Sequence, residues 1–451
     1  MYWIRVTSLL LLFLLHVAES SEVGKVGFGP GKQDWGHVTV RPGAQMFWWL
    51  YYVNPPTINT LDSFNVFEKP LIIWLQGGPG EAGSGYGNFN EFGPLDLNLK
   101  RRNHTWVNDY NVLLIDNPVG VGFSFVANNS LMAKNNTQIA QDLVICIKKF
   151  LETIPEFGNV PTYIVGESYG GKMAVEFALL WSQAQKSGMI QSELKGIALG
   201  DSSISMSDIA LSIPTYILNT GLIETKDFSK IQSFGALTAK FIKEKQWENA
   251  RKSFNVFWYL IHNVTDHADV YNILRQKNSK TDNSHKYFSN YRSSWKEVDV
   301  SDQLQKLMES DVQKALGLNV TYRLYSEDVN NVLKNEILKP VTEIVEQLLN
   351  ETDIKIFVCT GQLDMVIPTP GTLAWVNKLE WKHAETWRNT SRVSFTVDNI
   401  VEGYVKEYQN LKLYWINRSG HTVPSDNPFA FNAILQDLTS SENFNHVMNT
   451  N

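Results

Sequence analysis

The chain has 451 residues, enough for one large domain with an insertion or for two to three ordinary ones. A hydrophobic content of 43% against 19% charged residues describes a globular protein with a sizeable core. The net charge of −6 leaves no electrostatic footprint for nucleic acid, and no run of Lys and Arg exceeds Lys100-Arg101-Arg102, so a polybasic membrane patch is excluded too.

Residues 1–20 read as a secretory signal peptide. Arg5 precedes an apolar run from Leu9 to Leu15, and Ala18-Glu19-Ser20 offers a small-x-small cleavage site. The run is too short to span a bilayer, and no later stretch is long and apolar enough for a stable membrane anchor. Asn-x-Ser/Thr sequons at Asn103, Asn128, Asn135, Asn263, Asn319, Asn350 and Asn389 fit N-glycosylation on a secreted or lysosomal route. Asn417 also stands in a sequon, but its nearness to His421 argues against a glycan there. The two cysteines, Cys146 and Cys359, sit in apolar segments and read as buried thiols, not as a disulfide framework.

β-branched apolar runs bounded by turn residues recur at 37–40, 46–53, 70–75, 111–115, 162–165, 196–199, 354–359 and 411–416. Helical patterns lie between several of them, such as Ile139, Leu143, Ile147, Phe150 and Leu151 on one helix face. The first two runs look like an antiparallel start; the rest predict a mostly parallel sheet covered on both faces. Strand signals vanish across residues 205–341. Amphipathic segments at 208–220, 226–243, 247–264, 270–275 and 300–316 replace them, with a polar loop at 276–294. This predicts an α/β fold with a helical cap insertion at 205–341 between core parts 21–204 and 342–451. A second domain with its own function is the competing reading.

Gly166-Glu167-Ser168-Tyr169-Gly170 follows the apolar Tyr163-Ile164-Val165 and precedes a helix-prone stretch. Strand, tight glycine-flanked turn and helix are the context that makes G-x-S-x-G a nucleophile elbow. An elbow serine needs a base, and the base needs an orienting acid, in the α/β-hydrolase order Ser, acid, His. Among the histidines, His16 lies in the leader, His37 and His104 precede the serine, His262, His267 and His285 lie in the insertion, and His383 precedes no strand. His421 follows the 411–416 run beside Gly420 and is the candidate base. Asp364 follows the 354–359 run and is the candidate acid, with a helix N-cap as its competing reading. Gly77-Gly78-Pro79-Gly80 follows the 70–75 run. Its glycines let backbone N–H groups approach a substrate carbonyl, so Gly78 and Tyr169 are candidate oxyanion donors. No Gly-Lys-Ser/Thr follows, which argues against a phosphate loop. No cofactor or metal set is expected.

Trp74–Gly80, Asp116–Phe125, Gly166–Lys172 and Gly420–Pro424 resemble the four signature blocks of the serine carboxypeptidases, in family order and across most of the mature chain. Gly87-Asn88-Phe89, Gly361-Gln362-Leu363-Asp364 and Val423-Pro424-Ser425-Asp426 narrow the resemblance to one branch. It implies an α/β-hydrolase fold, a Ser168, Asp364, His421 triad, and an exopeptidase acting on peptides with a free C-terminus. It also implies that Gln76, Glu91 and Glu167 bind the substrate carboxylate. Two close carboxyls share a proton, so one can donate to that carboxylate only while protonated, which implies a preference for acidic pH. The chain departs from the family pattern in three places. Glu81-Ala82-Gly83 replaces a Cys-Ser-Ser and its disulfide, Gln76 replaces Asn, and Gly200-Asp201-Ser202-Ser203 lacks the usual Asn. An acyltransferase or esterase with the same triad, and a binding protein with a vestigial site, are the alternatives. A homodimer is compatible with the sequence.

Overall fold

The computed structural model describes residues 23–55, 64–275 and 297–440. The leader and the loop expected at 276–294 lie outside the described residues. The strands are β1 (Lys25–Val26), β2 (Lys32–Arg41), β3 (Ala44–Tyr51), β4 (Leu71–Leu75), β5 (Asn111–Asp116), β6 (Phe125–Val126), β7 (Pro161–Glu167), β8 (Glu193–Gly200), β9 (Lys355–Gly361), β10 (Val393–Val397), β11 (Ile400–Tyr408) and β12 (Leu411–Ile416). They form one sheet in the order β1-β2-β3-β5-β4-β7-β8-β9-β12-β11-β10, with β6 on β3. The centre, from β5 through β4, β7, β8 and β9 to β12, is parallel, and both flanks are antiparallel.

The parallel strands are mostly apolar through their middles because helices cover both faces. Every residue of β4, Leu-Ile-Ile-Trp-Leu, is buried. Helix Asn136–Thr153 buries Ile139, Leu143, Ile147 and Phe150, and the Asn135 side chain caps its start by accepting from Gln138 N–H. Helix Tyr169–Lys186 packs on β7 and β8. The two cysteines are buried and free. Burial pushes the Cys146 thiol up to about 12 and the Cys359 thiol higher still, which keeps both protonated and unreactive.

The helical region divides in its packing. Helices Met206–Asn219, Thr225–Lys243 and Trp247–Val264 enclose a core of their own, with Ile213, Ile217, Phe254, Phe257 and Ile261 at its centre. Leu304, Met308, Val312, Tyr322, Leu324, Val329 and Val341 join the main core instead. Residues 270–275, expected as a helix, are irregular. Asp269 Oδ1 accepts from the N–H groups of Tyr271 and Asn272, and this local turn competes with a helix. The hairpin β10–β11 was not legible as strands; Val393, Ile400 and Val401 are exposed on it.

Lys172 is fully buried in the first turn of helix Tyr169–Lys186. Its Nζ donates to the carbonyls of Glu336 (2.9 Å), Ile337 (2.8 Å) and Lys339 (2.5 Å), tying the end of the helical region to the helix after the elbow. Burial pulls its ammonium down to about 7, against the raising influence of Glu336. Lys172→Met leaves the Ile337 and Lys339 carbonyls without this donor, while Glu336 O keeps the Lys339 N–H, and a loss of about 2–3 kcal/mol in urea unfolding is expected. A variant as stable as the wild type would show the contact to be idle.

Candidate active site

Ser168 stands between β7 and helix Tyr169–Lys186 with φ 58 and ψ −121, a left-handed backbone that a non-glycine residue holds only at some cost. Its N–H donates to Gly200 O (2.9 Å), and its carbonyl accepts from Ser203 N–H (3.0 Å), so β8 and the loop after it fix the strained turn from below. The glycines are required sterically. A Cβ on Gly166 would lie 2.5 Å from Gly170 carbonyl carbon, and one on Gly170 would lie 2.0 Å from Leu75 O. The serine hydroxyl is thereby presented at the N-terminal end of an 18-residue helix, where the Tyr169 N–H belongs to the first turn that lacks intrahelical acceptors.

His421 and Asp364 come from loops after adjacent parallel strands, β12 and β9. His421 Nδ1 lies 2.6 Å from Asp364 Oδ2, and both side chains are buried. A carboxylate partner makes Nδ1 the donor and leaves Nε2 as the basic nitrogen. Burial works against the imidazolium, but the charge and hydrogen bond of Asp364 outweigh it and hold the ring above its ordinary 6.5. Asp364 Oδ1 accepts from Val366 N–H at 2.7 Å. The N-cap of the next helix is Pro368, so the competing reading of Asp364 as a cap does not hold. Residues 270–273, missed as a site element, thread between these loops. His421 N–H donates to Tyr271 O (2.7 Å), Met365 N–H to Val270 O (2.9 Å), and the Tyr271 ring lies 5.1 Å from the imidazole. No hydrogen bond among the described residues joins Ser168 Oγ to His421, an arrangement that tightens when substrate arrives in many such sites.

The glycine loop after β4 passes over the elbow. A Cβ on Gly77 would stand 2.7 Å from Ser168 Cβ and 2.9 Å from Glu167 O. Gly78 has φ +109, which favours glycine, and Gly80, with φ +113, leaves no room for a Cβ, which would meet Ser326 O at 2.8 Å.

Gln76, Glu91 and Glu167 converge from three elements: the end of β4, the wide helical turn Tyr86–Phe92 and the end of β7. Trp74 Nε1 donates to Gln76 Oε1 (2.8 Å), which fixes the amide so that Nε2 donates to Glu91 Oε1 (3.3 Å) and Glu167 Oε1 (3.2 Å). Glu91 Oε2 and Glu167 Oε2 are buried and receive no donor from elsewhere, while the two carboxyls contact each other. Burial pushes Glu91 up to about 7, with the contacts to Glu167 and Gln76 pulling back. Burial, then the adjacent Glu91 charge, push Glu167 well above the ordinary carboxyl range. One proton shared between the two is the state that geometry and burial favour. Glu81 acts on the same groups: its charge raises His421, Glu91 and Glu167 alike.

Ser168, His421, Asp364, Gln76 and Glu167, read from the sequence as nucleophile, base, acid and carboxylate binders, therefore lie at the carboxyl ends of strands of one sheet, and Glu91 joins them from the turn Tyr86–Phe92. Lys172 and Asp201 were not singled out for roles, because sequence alone does not show that a polar residue is buried.

The parallel centre, the elbow and the strand-end acid and base define an α/β-hydrolase. A structure of a prohormone-processing carboxypeptidase from Saccharomyces cerevisiae has the same fold, with a TM-score of 0.75, 20% identity and 91% of each chain covered. The family model for serine carboxypeptidase matches residues 25–441, and the chain belongs to that family. It is 36% identical to retinoid-inducible serine carboxypeptidase of Rattus norvegicus over 435 residues, covering 94% of both chains. It is 34% identical to serine carboxypeptidase-like 51 of Arabidopsis thaliana, covering 94% of this chain and 95% of the relative. The branch to which the motifs narrow the resemblance is the retinoid-inducible one.

Proposed function

We propose that the protein is a serine carboxypeptidase that removes C-terminal residues from peptides through an acyl-enzyme. Ser168 Oγ attacks the last peptide carbonyl while His421 Nε2 takes its proton. The N–H groups of Gly78 and Tyr169 receive the oxyanion. His421 returns the proton to the departing amino acid, and water, activated by the same nitrogen, releases the shortened peptide. Asp364 holds the imidazole tautomer throughout. Residues 21–204 and 342–451 act as the hydrolase core in this reading, and 205–341 as its cap.

The observation that carries the exopeptidase reading is the buried Gln76, Glu91, Glu167 cluster, with Glu167 next to Ser168 in the chain. An esterase or acyltransferase leaves this costly carboxyl pair without a role. A protonated carboxyl donates to the terminal carboxylate of a peptide; two ionised ones repel it.

The pH dependence follows from two groups. The pair must keep its proton, so binding weakens once pH rises far enough to take the last one, which burial and the Glu91 charge hold on Glu167 well above the ordinary carboxyl range. The base must be neutral, so turnover falls as pH drops through the His421 value, which lies above its ordinary 6.5. The expected kcat/KM profile for N-blocked dipeptides is a bell, with a free amino acid as the product and KM climbing on the alkaline side. A profile that stays flat to about pH 9 would contradict the role of the pair.

Passage through the secretory pathway is supported by exposure. Asn103, Asn128, Asn135, Asn263, Asn319, Asn350 and Asn389 are all exposed, and Asn417 is half-buried. No helix of the described residues is long and apolar enough to cross a membrane.

A further inference from the structure

Asp201 follows β8 at its carboxyl end, in a left-handed conformation with φ 38. Its side chain is fully buried beneath the site. The backbone leaves it little freedom, because its N–H donates to Cys359 O (2.9 Å) and its Oδ1 accepts from Gly361 N–H (2.9 Å). Both contacts are with β9, the strand that delivers Asp364. The other oxygen, Oδ2, is buried and receives no donor. The Asp201 carboxyl is in hydrogen-bond contact with that of Asp364, and the Thr360 hydroxyl also bonds it. The groups that act on it or feel its charge are Asp364, Thr360, Glu167, Tyr216 and Cys359, and none of them is a cation.

This arrangement is intolerable for two buried carboxylates. Asp364 already spends Oδ2 on His421 Nδ1 and Oδ1 on Val366 N–H, and both are acceptor roles. An ionised Asp201 would place a second buried anion against it, with one oxygen facing no donor. A single proton removes both problems. It turns the orphaned Oδ2 into a donor and gives Asp364 a further hydrogen bond.

We propose that Asp201 is a positioning residue whose carboxylic acid donates a hydrogen bond to Asp364 and so orients the carboxylate that holds His421. The proposal rests on the triad reading above. Asp364 is then fixed by Val366 N–H on one side and by Asp201 on another, and its Oδ2 is aimed at Nδ1. Because Asp201 is neutral, the imidazole meets one negative charge from this direction instead of two. A second charge would hold the ring protonated at the working pH and disable it as a base.

The test uses the mature glycoprotein with Asp201→Asn and Asp201→Ala. The amide of the Asn variant keeps a donor in the same place without a charge. It should retain kcat within about fivefold of wild type with the acid limb of kcat/KM unmoved, while the Ala variant should lose more than about fivefold in kcat at nearly constant KM. An acid limb that drops by more than about 0.3 units in the Asn variant would show that an anion had been removed. That result, a loss of more than fivefold in the Asn variant, or a smaller loss in the Ala variant, would overturn the proposal. If the Ala variant does not fold, infrared spectroscopy decides without turnover. The carbonyl band of a buried protonated carboxyl should be present in wild type from about pH 5 to about pH 8 and lost in the Asn variant. An identical band in both proteins would overturn the proposal while leaving the triad reading intact.

Discussion

Ser168→Ala is expected to lower kcat by about a millionfold while the protein still folds and still binds peptide acids. The serine oxygen is the only atom at the elbow that can form the acyl bond, and the strained turn is held by Gly200 O and Ser203 N–H, which do not depend on the side chain. Burst kinetics with a blocked dipeptide would show no acyl-enzyme, and an organophosphonate that labels the wild type would leave the variant unlabelled. Turnover that survived the substitution would mean that Ser168 is not the nucleophile.

Asp364→Asn is expected to cost about 10⁴ in kcat with KM little changed. The substitution keeps the shape of the side chain, and the amide oxygen can still accept from Val366 N–H. The amide nitrogen would then face His421 Nδ1 as a donor. The ring would adopt the opposite tautomer, with a proton on Nε2, and could not accept one from Ser168. The loss should shrink as pH rises and hydroxide substitutes for the base. A variant with near-normal kcat would show that the 2.6 Å contact is not what orients the imidazole.

The parts of this molecule that sequence made legible are those in which local chemistry and tertiary role coincide. β4 and β7 are apolar because both faces are covered, and the glycines around Ser168 are demanded by contacts as close as 2.0 Å. Asp364 and His421 could be found because catalytic groups sit at strand ends. The hairpin β10–β11 lay in reach as well: Asp398 and Asn399, with φ 48 and 63, make a two-residue turn between β-branched runs. It was missed because its strands are exposed and lack a long apolar run. Residues 270–275 failed for another reason. Their apolar spacing suits a helix, but Asp269 and the loop carrying His421 take up their backbone groups. The pairing of Glu91 with Glu167 across 75 intervening positions was visible only through family resemblance, since no local pattern marks Glu91 as buried. The same blindness to burial hid Lys172 and Asp201.

The central claim is that Glu91 and Glu167, held by Gln76, make this hydrolase read a free C-terminus. It is tested most directly by comparing kcat/KM for one N-blocked dipeptide and its C-terminal amide, at mildly acidic pH and again at alkaline pH, where Glu167, held well above the ordinary carboxyl range, has also lost its proton. The account predicts that the acid is preferred by at least about 100-fold at the lower pH, and that the preference collapses at the higher pH and in Glu167→Gln. Equal hydrolysis of acid and amide at both pH values would contradict it and leave a general hydrolase with the same triad.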